Sequence, residues 1–545
     1  MDVLLISGMG PQFPDNVLLA GSSFEALTAR RNSRTSGVFD LSVLHTRDGD
    51  RRVPLLRPRR DGGGARAASG VSLADDASVQ RQKAAHLTTF TLQSILNAAG
   101  IDHEHLSTEL IWTDSGPEPR GDFDVVLMST TFMWDRATLA KAVRWVADRF
   151  PTATLVLGGQ YSNLKFHRIM TEHDFVRYVV RGDAEAALPA LLHAVRTNAD
   201  VTGIPNLVYR DADGRIRVAE IGYIDLEATP SPAPAGRASV VPYESMRGCP
   251  FSCKYCAYPA ASPKWRYKSA EKIAGDWARY GRENGARYIK ALDSTFTVPP
   301  TRLRRLLPML EEVGIDWEAY TRANSIRDST VVRQLEDARC RSLFIGFESM
   351  SDTTLKYMNK KVTAQANRTA FELLENSSIG HFVSYIVGYP GESPELFEET
   401  KRFLVSEYSG EFALYVFMLS DETMPVWQDA ERFGLEVLDP SGEARIWRHN
   451  GMDSETAERL QLETLREVRW KNDRAIARVW QHDYESPLLP HRSAADNKVV
   501  EKLVDRLGMV SADFTDAAEA TRRRDGVLTS LSRFGVRAEA GDQDA

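Results

Sequence analysis

The chain has 545 residues, of which 43% are hydrophobic and 26% are charged, and its formal net charge at pH 7 is −7. This composition excludes a wholly disordered protein and provides enough apolar residues for two to four domains. The acidic balance, with a pI near 6.0, gives no overall electrostatic footprint for nucleic acid, so it favours small or neutral substrates over RNA.

No apolar stretch of the sequence reaches the length that spans a bilayer, and residues 1–6 carry no basic leader. We therefore expect no membrane partner. Because free cysteines persist in reducing compartments, we expect a cytoplasmic location.

Strands alternate with helices in the first part of the chain. A buried strand is predicted at residues 3–7, followed by a turn at residues 8–11. After a helix from Leu87 to about Gly100, the pattern predicts strands at residues 124–129, 154–159 and 175–180 and helices at residues 137–150 and 186–195. This alternation predicts an α/β unit with a doubly wound parallel sheet over residues 1–205.

One segment interrupts this unit. Residues 51–76 are rich in arginine, proline and glycine and show no apolar period, so they predict a long loop, either solvated or folded over a ligand as a lid.

Small and polar residues follow the predicted strands of this unit. Glycine at a strand end lets a bulky ligand approach the backbone, and ligands of open α/β sheets bind at the carboxyl ends of the strands. The candidate ligand-binding residues at these ends are Ser129, Thr130, Gly158, Gly159, Gly182 and Asp183.

A second unit follows a connector. Residues 206–238 predict a hairpin around residues 211–214 and a stiff linker with Pro230, Pro232 and Pro234. Residues 239–416 repeat a β-α pattern that predicts a partial (β/α)6 barrel with ligands at the carboxyl ends of its strands. Residues 417–545 predict a mainly helical region with an amphipathic stretch at residues 460–479, aromatic residues that form core or a pocket for a planar substrate, and a frayed end from Arg537.

Three of the four cysteines, Cys249, Cys253 and Cys256, fall within eight positions. Such a loop suits an inorganic cluster whose thiolates bind iron, and three ligands leave a cluster of four irons with one open position. A zinc site is the alternative, but it normally has four closed ligands, and no further ligand pair follows at a suitable interval. Cys340 stands alone before an apolar run and is predicted to be buried.

Polar residues also follow the strands of the predicted barrel. Asp293, Arg322 and Glu348 each come after an apolar strand, so their side chains should converge on the rim that bears the cysteine loop. A cation and hydrogen-bond acceptors there suit a zwitterionic amino acid with a ribose. Structural ion pairs are the alternative for these residues.

Cys249, Cys253 and Cys256 resemble the cluster motif of the radical S-adenosylmethionine (SAM) superfamily. The resemblance implies a 4Fe-4S cluster as the metal centre, with its open iron chelated by SAM and with Tyr255 beside the adenine. The positions of Asp293, Arg322, Glu348 and Gly388 are those that contact SAM in such enzymes.

The strand-end residues of the first unit resemble, in order and spacing, the cobalamin-binding domain that precedes the radical domain in one branch of this superfamily. The resemblance implies cobalamin as a further cofactor. One departure is that many cobalamin domains ligate cobalt through an Asp-x-His-x-x-Gly motif, which this chain lacks. A flavodoxin-like domain kept for structure or docking is the alternative.

Taken together, the chain resembles cobalamin-dependent radical SAM enzymes. This implies transfer of a methyl group from SAM via cobalamin to a carbon of a small natural-product precursor, as in antibiotic biosynthesis, with tryptophan one candidate. It also implies an external electron donor, and no catalytic side chain is predicted because the cofactors carry the reaction. The alternatives are a cyclisation or rearrangement without methyl transfer, a methylthiolating RNA-modifying enzyme, and a non-enzymatic iron-sulfur protein.

Overall fold

The computed structural model describes residues 1–8, 43–48, 51–55, 57–58, 71–72, 86–113, 119, 121–133, 135–419, 422–438, 446–477, 488–489 and 491–538. Within these ranges, no helix combines the length and the apolar character that crossing a bilayer requires.

The first sheet has seven strands, and its five parallel strands confirm the predicted doubly wound architecture. Their arrangement is the flavodoxin-like order, whose topological switch point lies between the first and third strands in the chain. The sequence analysis missed the strand His103–Ser107. The spatial order is Ile216–Val218, Leu207–Arg210, Val176–Val180, Thr154–Gly158, Val125–Ser129, Val3–Ser7 and His103–Ser107.

Helices cover both faces of this sheet, which explains why its strands are apolar throughout. Successive side chains of a strand point to opposite faces. Leu4 and Ile6 pack in one apolar cluster, while Val3 and Leu5 pack in another. The helices of this unit are Leu87–Ala98, Glu109–Thr113, Arg136–Arg149, Gln160–Glu172 and Ala184–Thr197.

The second sheet also has seven strands, all parallel and in chain order, as a partial barrel requires. Its strands are Val240–Tyr243, Tyr288–Ala291, Asp316–Arg322, Cys340–Glu348, Gly380–Val387, Gly410–Val416 and Ala475–Ala477. Its covering helices include Ala270–Arg279, Pro300–Val313, Ser329–Asp337, Ala364–Glu375 and Pro394–Ser406. As predicted, Cys340 is buried in its strand, with 2% of its surface exposed.

The seventh strand corrects the sequence analysis. The predicted helical stretch at residues 460–479 is the helix Ser454–Lys471, followed by the strand Ala475–Ala477, and residues 478–479 lie outside the described residues. Asn472 ends the helix, because its side-chain oxygen accepts hydrogen bonds from the backbone nitrogens of Arg474 and Ala475. The helices Ala494–Asp513 and Ala517–Ser532 follow.

The arginine-rich segment and the end of the chain also differ from prediction where they are described. Arg51–Pro54 is a strand that pairs with Leu44–Asp48, which pairs in turn with Arg537–Ala538, so these last two residues are not frayed. Arg57–Pro58 pairs with Val71–Ser72. Such short strands leave no periodic signal. Apart from Leu55, which is buried, the rest of both segments, with residues 9–11 of the predicted turn, lies outside the described residues.

The connector holds the predicted hairpin, Leu207–Arg210 with Ile216–Val218, which extends the first sheet. The proline-rich linker after it, residues 230–236, lies along the start of the second unit. Tyr280 donates a hydrogen bond to the carbonyl oxygen of Pro232 (2.5 Å), and Asn284 donates to that of Gly236 (2.8 Å). The domain limits at residues 205, 238 and 416 stay a prediction.

Candidate functional site

The three clustered cysteines lie on one closed loop, residues 248–265, which we call the cysteine loop. A two-stranded ribbon, Met246–Arg247 with Arg266–Tyr267, joins its ends. At the neck, Gly248 has a φ of +78°, and a Cβ atom there would lie 2.6 Å from the carbonyl oxygen of Lys264. Only glycine therefore allows the two ends to approach so closely.

The thiols of this loop are free and sheltered. Cys253 is buried, and Cys249 and Cys256 are half-buried. Burial, together with the neighbouring Cys253 and Cys249, raises the pKa of Cys256 to about 11. No three His, Cys, Asp or Glu side chains among the described residues converge closely enough to hold one metal ion. A four-iron cluster is a different kind of site, because each thiolate binds a different iron.

Asp293 binds the segment that leads into the ribbon. One carboxylate oxygen accepts hydrogen bonds from the backbone nitrogens of Ser245 (2.7 Å) and Met246 (2.9 Å), and the other accepts from the Ser245 hydroxyl (2.6 Å). Only 4% of its surface is exposed. The carboxylate is thus engaged in anchoring the segment that leads into the cysteine loop.

Tyr255 and Glu348 are brought together, as predicted, by a residue that the sequence analysis missed. The Lys360 Nζ donates to a carboxylate oxygen of Glu348 and to the Tyr255 hydroxyl oxygen, both at 2.8 Å, and the Tyr255 hydroxyl donates to the same Glu348 oxygen at 3.0 Å. Glu348 has a φ of +63° and is buried. Lys360 lies on a turn without a periodic pattern, so no sequence signal indicated it.

Lys360→Met is expected to lower the free energy of unfolding by about 3–5 kcal/mol, because it leaves the buried Glu348 carboxylate without its cation. Urea unfolding followed by circular dichroism measures the change. Lys361→Met is the matched control, since Lys361 is exposed and its replacement should cost within about 0.5 kcal/mol. Equal stabilities of the two variants would contradict this account.

Arg322 lies directly beside the cysteine loop. Its Nη1 donates to the Cys253 Sγ at 3.3 Å, and its guanidinium carbon lies 3.9 Å from the centre of the Phe251 ring. The other terminal nitrogen donates to the carbonyl oxygen of Lys360, and the buried Nε has no hydrogen-bond partner in the structure. Arg322 therefore places a buried positive charge against the sulfur of one of the three clustered thiols.

Gly388 follows a strand of the second sheet and is closely packed. With a φ of +85°, it has no room for a side chain, because a Cβ would lie 2.6 Å from the ring of Trp447. Its nitrogen donates to the Glu392 carboxylate (2.8 Å), and its oxygen accepts from His449 (3.2 Å). Trp447 is thus core here, and not the wall of an open aromatic pocket.

The buried Glu392 predicts a pH dependence of stability. Burial raises the pKa of this carboxyl from 4.5 to about 8. The folded chain therefore binds this proton more tightly than the unfolded chain. The contribution of protonated Glu392 to the free energy of unfolding is complete below pH 4.5 and is lost as the pH rises to 8.

Between pH 5 and pH 8, the free energy of unfolding of the natural chain should therefore fall by roughly 3 kcal/mol more than that of Glu392→Gln. Urea unfolding of both proteins at the two pH values measures the difference. Parallel losses in the two proteins would refute the assignment.

A cavity of about 280 Å³ lies at the carboxyl ends of the first sheet, where the sequence predicted a ligand. Five of the six predicted residues line it, namely Ser129, Gly158, Gly159, Gly182 and Asp183. Thr130 does not, because its hydroxyl is buried between the Gly158 carbonyl oxygen (2.8 Å) and the Ser162 hydroxyl (2.7 Å). Its neighbour Thr131 lines the cavity instead.

The remaining walls come from elements that the sequence analysis did not connect with a ligand. One is the helix Leu87–Ala98, whose lining residues Leu87, Thr88, Thr91, Leu92 and Ile95 are uncharged. The other belongs to the second unit and includes Arg247, Tyr258 and Ser262 in and beside the cysteine loop. The cavity therefore lies between the edge of the first sheet and the loop that bears the three thiols.

Residues 243–404 match the family model of the radical SAM superfamily. An uncharacterized methyltransferase, PH0819, of Pyrococcus horikoshii is 27% identical over 292 residues, which cover 51% of this chain and 62% of that protein. The anaerobic magnesium-protoporphyrin IX monomethyl ester cyclase of Synechocystis is 23% identical over 287 residues, or 50% of this chain and 57% of the cyclase. The chain thus spans less than two thirds of the length of either relative.

Among solved structures, the chain is similar in fold to the radical SAM methyltransferase TsrM from Kitasatospora setae. The TsrM structure with tryptophan and a SAM analogue matches with a TM-score of 0.56 and 15% identity, over 98% of this chain and 99% of TsrM. The structure with cobalamin and a 4Fe-4S cluster gives the same TM-score with 16% identity, over 83% of this chain and 97% of TsrM.

Proposed function

We propose that this chain, whose residues 243–404 form a radical SAM domain, is a cobalamin-dependent methyltransferase that moves a methyl group from SAM to a carbon of a small molecule. One observation carries the proposal. The cavity at the carboxyl edge of a flavodoxin-like sheet is lined by Gly159 on one side and by Arg247 and Tyr258 of the cysteine-loop region on the other. Two cofactor sites thus adjoin, as transfer of a group between cofactors requires.

The residues fit these cofactors. Cys249, Cys253 and Cys256 would hold the 4Fe-4S cluster, and the glycine-lined cavity would hold cobalamin. Tyr255, Arg322, Glu348 and Gly388 would surround SAM. When bound, these groups supply the methyl donor, the carrier of the methyl group and the electron that activates the substrate.

The protein side chains act on charge and orientation. Arg322, 3.3 Å from the Cys253 Sγ, would orient this sulfur as an iron ligand. The Lys360 ammonium donates at 2.8 Å both to the Glu348 carboxylate and to the Tyr255 hydroxyl, and so fixes the orientation of these two groups. The apolar helix Leu87–Ala98 excludes water from one wall of the cavity.

Cobalamin would meet no histidine among the described residues that line the cavity, and the chain lacks the Asp-x-His-x-x-Gly motif. The uncharged side chains of the helix Leu87–Ala98 would contact it along one wall.

We propose a natural-product precursor as substrate, with tryptophan one candidate and antibiotic biosynthesis one setting. The formal net charge of −7 supports a small molecule over nucleic acid. TsrM, which shares the fold, has been observed with tryptophan bound. We further propose a cytoplasmic location, which suits an oxygen-sensitive cluster, and an external electron donor as partner.

Anaerobic purification followed by an ultraviolet-visible spectrum with and without added cobalamin tests the cofactors. Iron-sulfur absorption together with corrin bands is the expected result, whereas zinc in the cysteine loop, or no metal, would refute the proposal. Turnover with SAM that carries a deuterated methyl group tests the reaction, because the label should appear on carbon in the product.

A second candidate is a cyclisation or rearrangement without methyl transfer, which the similarity to the Synechocystis cyclase favours. It predicts product formation without methyl label. Methylthiolation has less support, because it needs a sulfur-donating cluster, and Cys340, the one cysteine outside the loop, is buried in a strand. A non-enzymatic iron-sulfur protein would not consume SAM.

A further inference from the structure

The ribbon that closes the cysteine loop carries two positive charges side by side. Arg247 and Arg266 are directly opposite each other in this antiparallel pair. Like charges at opposed positions of adjacent strands repel and destabilise the pair. The neck of the cysteine loop therefore needs a counter-charge between the two arginines.

Asp183, from the other unit, supplies that charge. One carboxylate oxygen accepts from the Arg247 Nη1 (2.9 Å) and from the Arg266 Nη2 (3.2 Å), and the other accepts from the Arg266 Nη1 (2.7 Å). Only 5% of the Asp183 side chain is exposed. Hydrogen bonds between ionised groups in such a sheltered place are stronger than those in water.

Asp183 is itself fixed to the first unit. Its carboxylate accepts from the backbone nitrogen of Ile224 (2.8 Å), and its carbonyl oxygen accepts from the Asn206 side chain (2.8 Å). It directly precedes the helix Ala184–Thr197 and lines the cavity. A displacement of the cavity wall at Asp183 must therefore displace both ends of the cysteine loop.

Two further carboxylates form ion pairs with Arg247. Glu185 accepts from its two terminal nitrogens, at 3.1 and 2.6 Å, and Glu244 accepts from its Nε at 2.9 Å. All three guanidinium nitrogens of Arg247 are thus engaged. Because Cys249 is only two residues further along the chain, the orientation of the first thiol depends on these ion pairs of Arg247.

We propose that Asp183 is a positioning residue that binds both ends of the cysteine loop and so sets the geometry between the loop and the cavity. The assignment differs from the predicted role of Asp183 as a cofactor contact. It rests on the proposed function only for what the loop and the cavity hold. The contact itself is a property of the protein chain and can be tested without cofactors.

The first test is hydrogen exchange, measured by mass spectrometry on the full chain produced without cobalamin and stripped of iron by chelation. In Asp183→Asn, amide exchange in peptides from residues 246–267 should be at least about tenfold faster, because the two arginines lose their shared anion. Exchange in the strands Val3–Ser7 and Cys340–Glu348 should be unchanged. Unchanged exchange in residues 246–267 of a folded variant would overturn the proposal.

Asp513→Asn is the matched control. Asp513 is also buried, with 4% of its side chain exposed, and it pairs with an arginine, Arg469, in the helical region. Its replacement should leave exchange in residues 246–267 unchanged, and faster exchange there would mean that general destabilisation explains the first result. If Asp183→Asn does not fold, Arg266→Gln removes the bidentate part of the same contact and should accelerate exchange in the same peptides.

The second test separates positioning from support of the fold. In the reconstituted protein, the magnetic interaction between the reduced cluster and paramagnetic cob(II)alamin depends on their separation and orientation. Electron paramagnetic resonance should show this interaction altered in Asp183→Asn and unchanged in Asp513→Asn. Faster exchange with an unaltered interaction would overturn the positioning role, whereas failure of the natural chain to bind a corrin would refute the proposed function and leave the exchange test standing.

Discussion

Cys253→Ala should abolish the iron-sulfur cluster and all SAM-dependent turnover. Cys253 is the most sheltered of the three thiols, with 6% of its surface exposed, and it alone accepts a hydrogen bond from Arg322. Two remaining thiolates cannot hold a cluster that already has an open iron. Iron and sulfide analysis after anaerobic reconstitution should give about four irons per natural chain and almost none in the variant.

Cys340→Ala provides the control for this experiment. Cys340 is also buried, but it lies in a strand of the second sheet, where the one hydrogen bond of its thiol to a described residue is a weak one to the Ser342 carbonyl oxygen at 3.7 Å. Its replacement should cost about 1 kcal/mol of stability and leave the iron content unchanged. A full cluster in Cys253→Ala, or a lost one in Cys340→Ala, would show that the ligands are wrongly assigned.

Gly159→Ala should weaken cobalamin binding by about 10- to 100-fold, which corresponds to about 1.4–2.8 kcal/mol. Gly159 has a φ of +106°, and an added Cβ would lie 2.8 Å from the backbone nitrogen of Thr131. Both residues line the cavity, so relief of this collision must move its wall. Titration of the apoprotein with cobalamin, followed by corrin absorption, measures the loss.

Gly214→Ala is a control that separates the effect of backbone strain from the effect of the steric collision at Gly159. Gly214 also has a positive φ, +77°, but no atom lies within 4 Å of the position that its Cβ would take. Both variants place alanine at a positive φ, which costs about 1–3 kcal/mol, whereas only Gly159→Ala adds a collision in the cavity wall and should lose affinity. Equal affinities of the two variants would place cobalamin away from Gly159.

Periodic patterns predicted the parts of the fold that bury apolar faces. The strand Val3–Ser7 has the predicted bounds, and the helix predicted at residues 137–150 is Arg136–Arg149. Such elements are readable because burial requires a repeat of 3.6 or 2 residues. The strand His103–Ser107 was missed because it contains two histidines and a glutamate and has only one fully buried residue.

The candidate site was predictable where one residue type is needed for chemistry or backbone shape. The three cysteines and the cavity glycines were found for this reason. Lys360 and Arg247 were not, because a buried cation is indistinguishable in sequence from the many lysines and arginines that lie in solvent. Asp293 and Thr130 were found at strand ends, but their side chains turned out to bond to the protein's own backbone and hydroxyl groups.

The proline-rich linker is held to the second unit by hydrogen bonds along its length. Its carbonyl oxygens are bonded at Pro232 and Gly236 to the helical segment that ends at Asn284, and its Ser231 hydroxyl is bonded to Asp276. Hinged enzymes close over their substrates by bending such a connection, but here bending would break several buried hydrogen bonds at once. The linker is therefore held rigidly along the second unit, and, on the proposed function, substrates of different size would have to be accommodated by the elements that surround the two sheets.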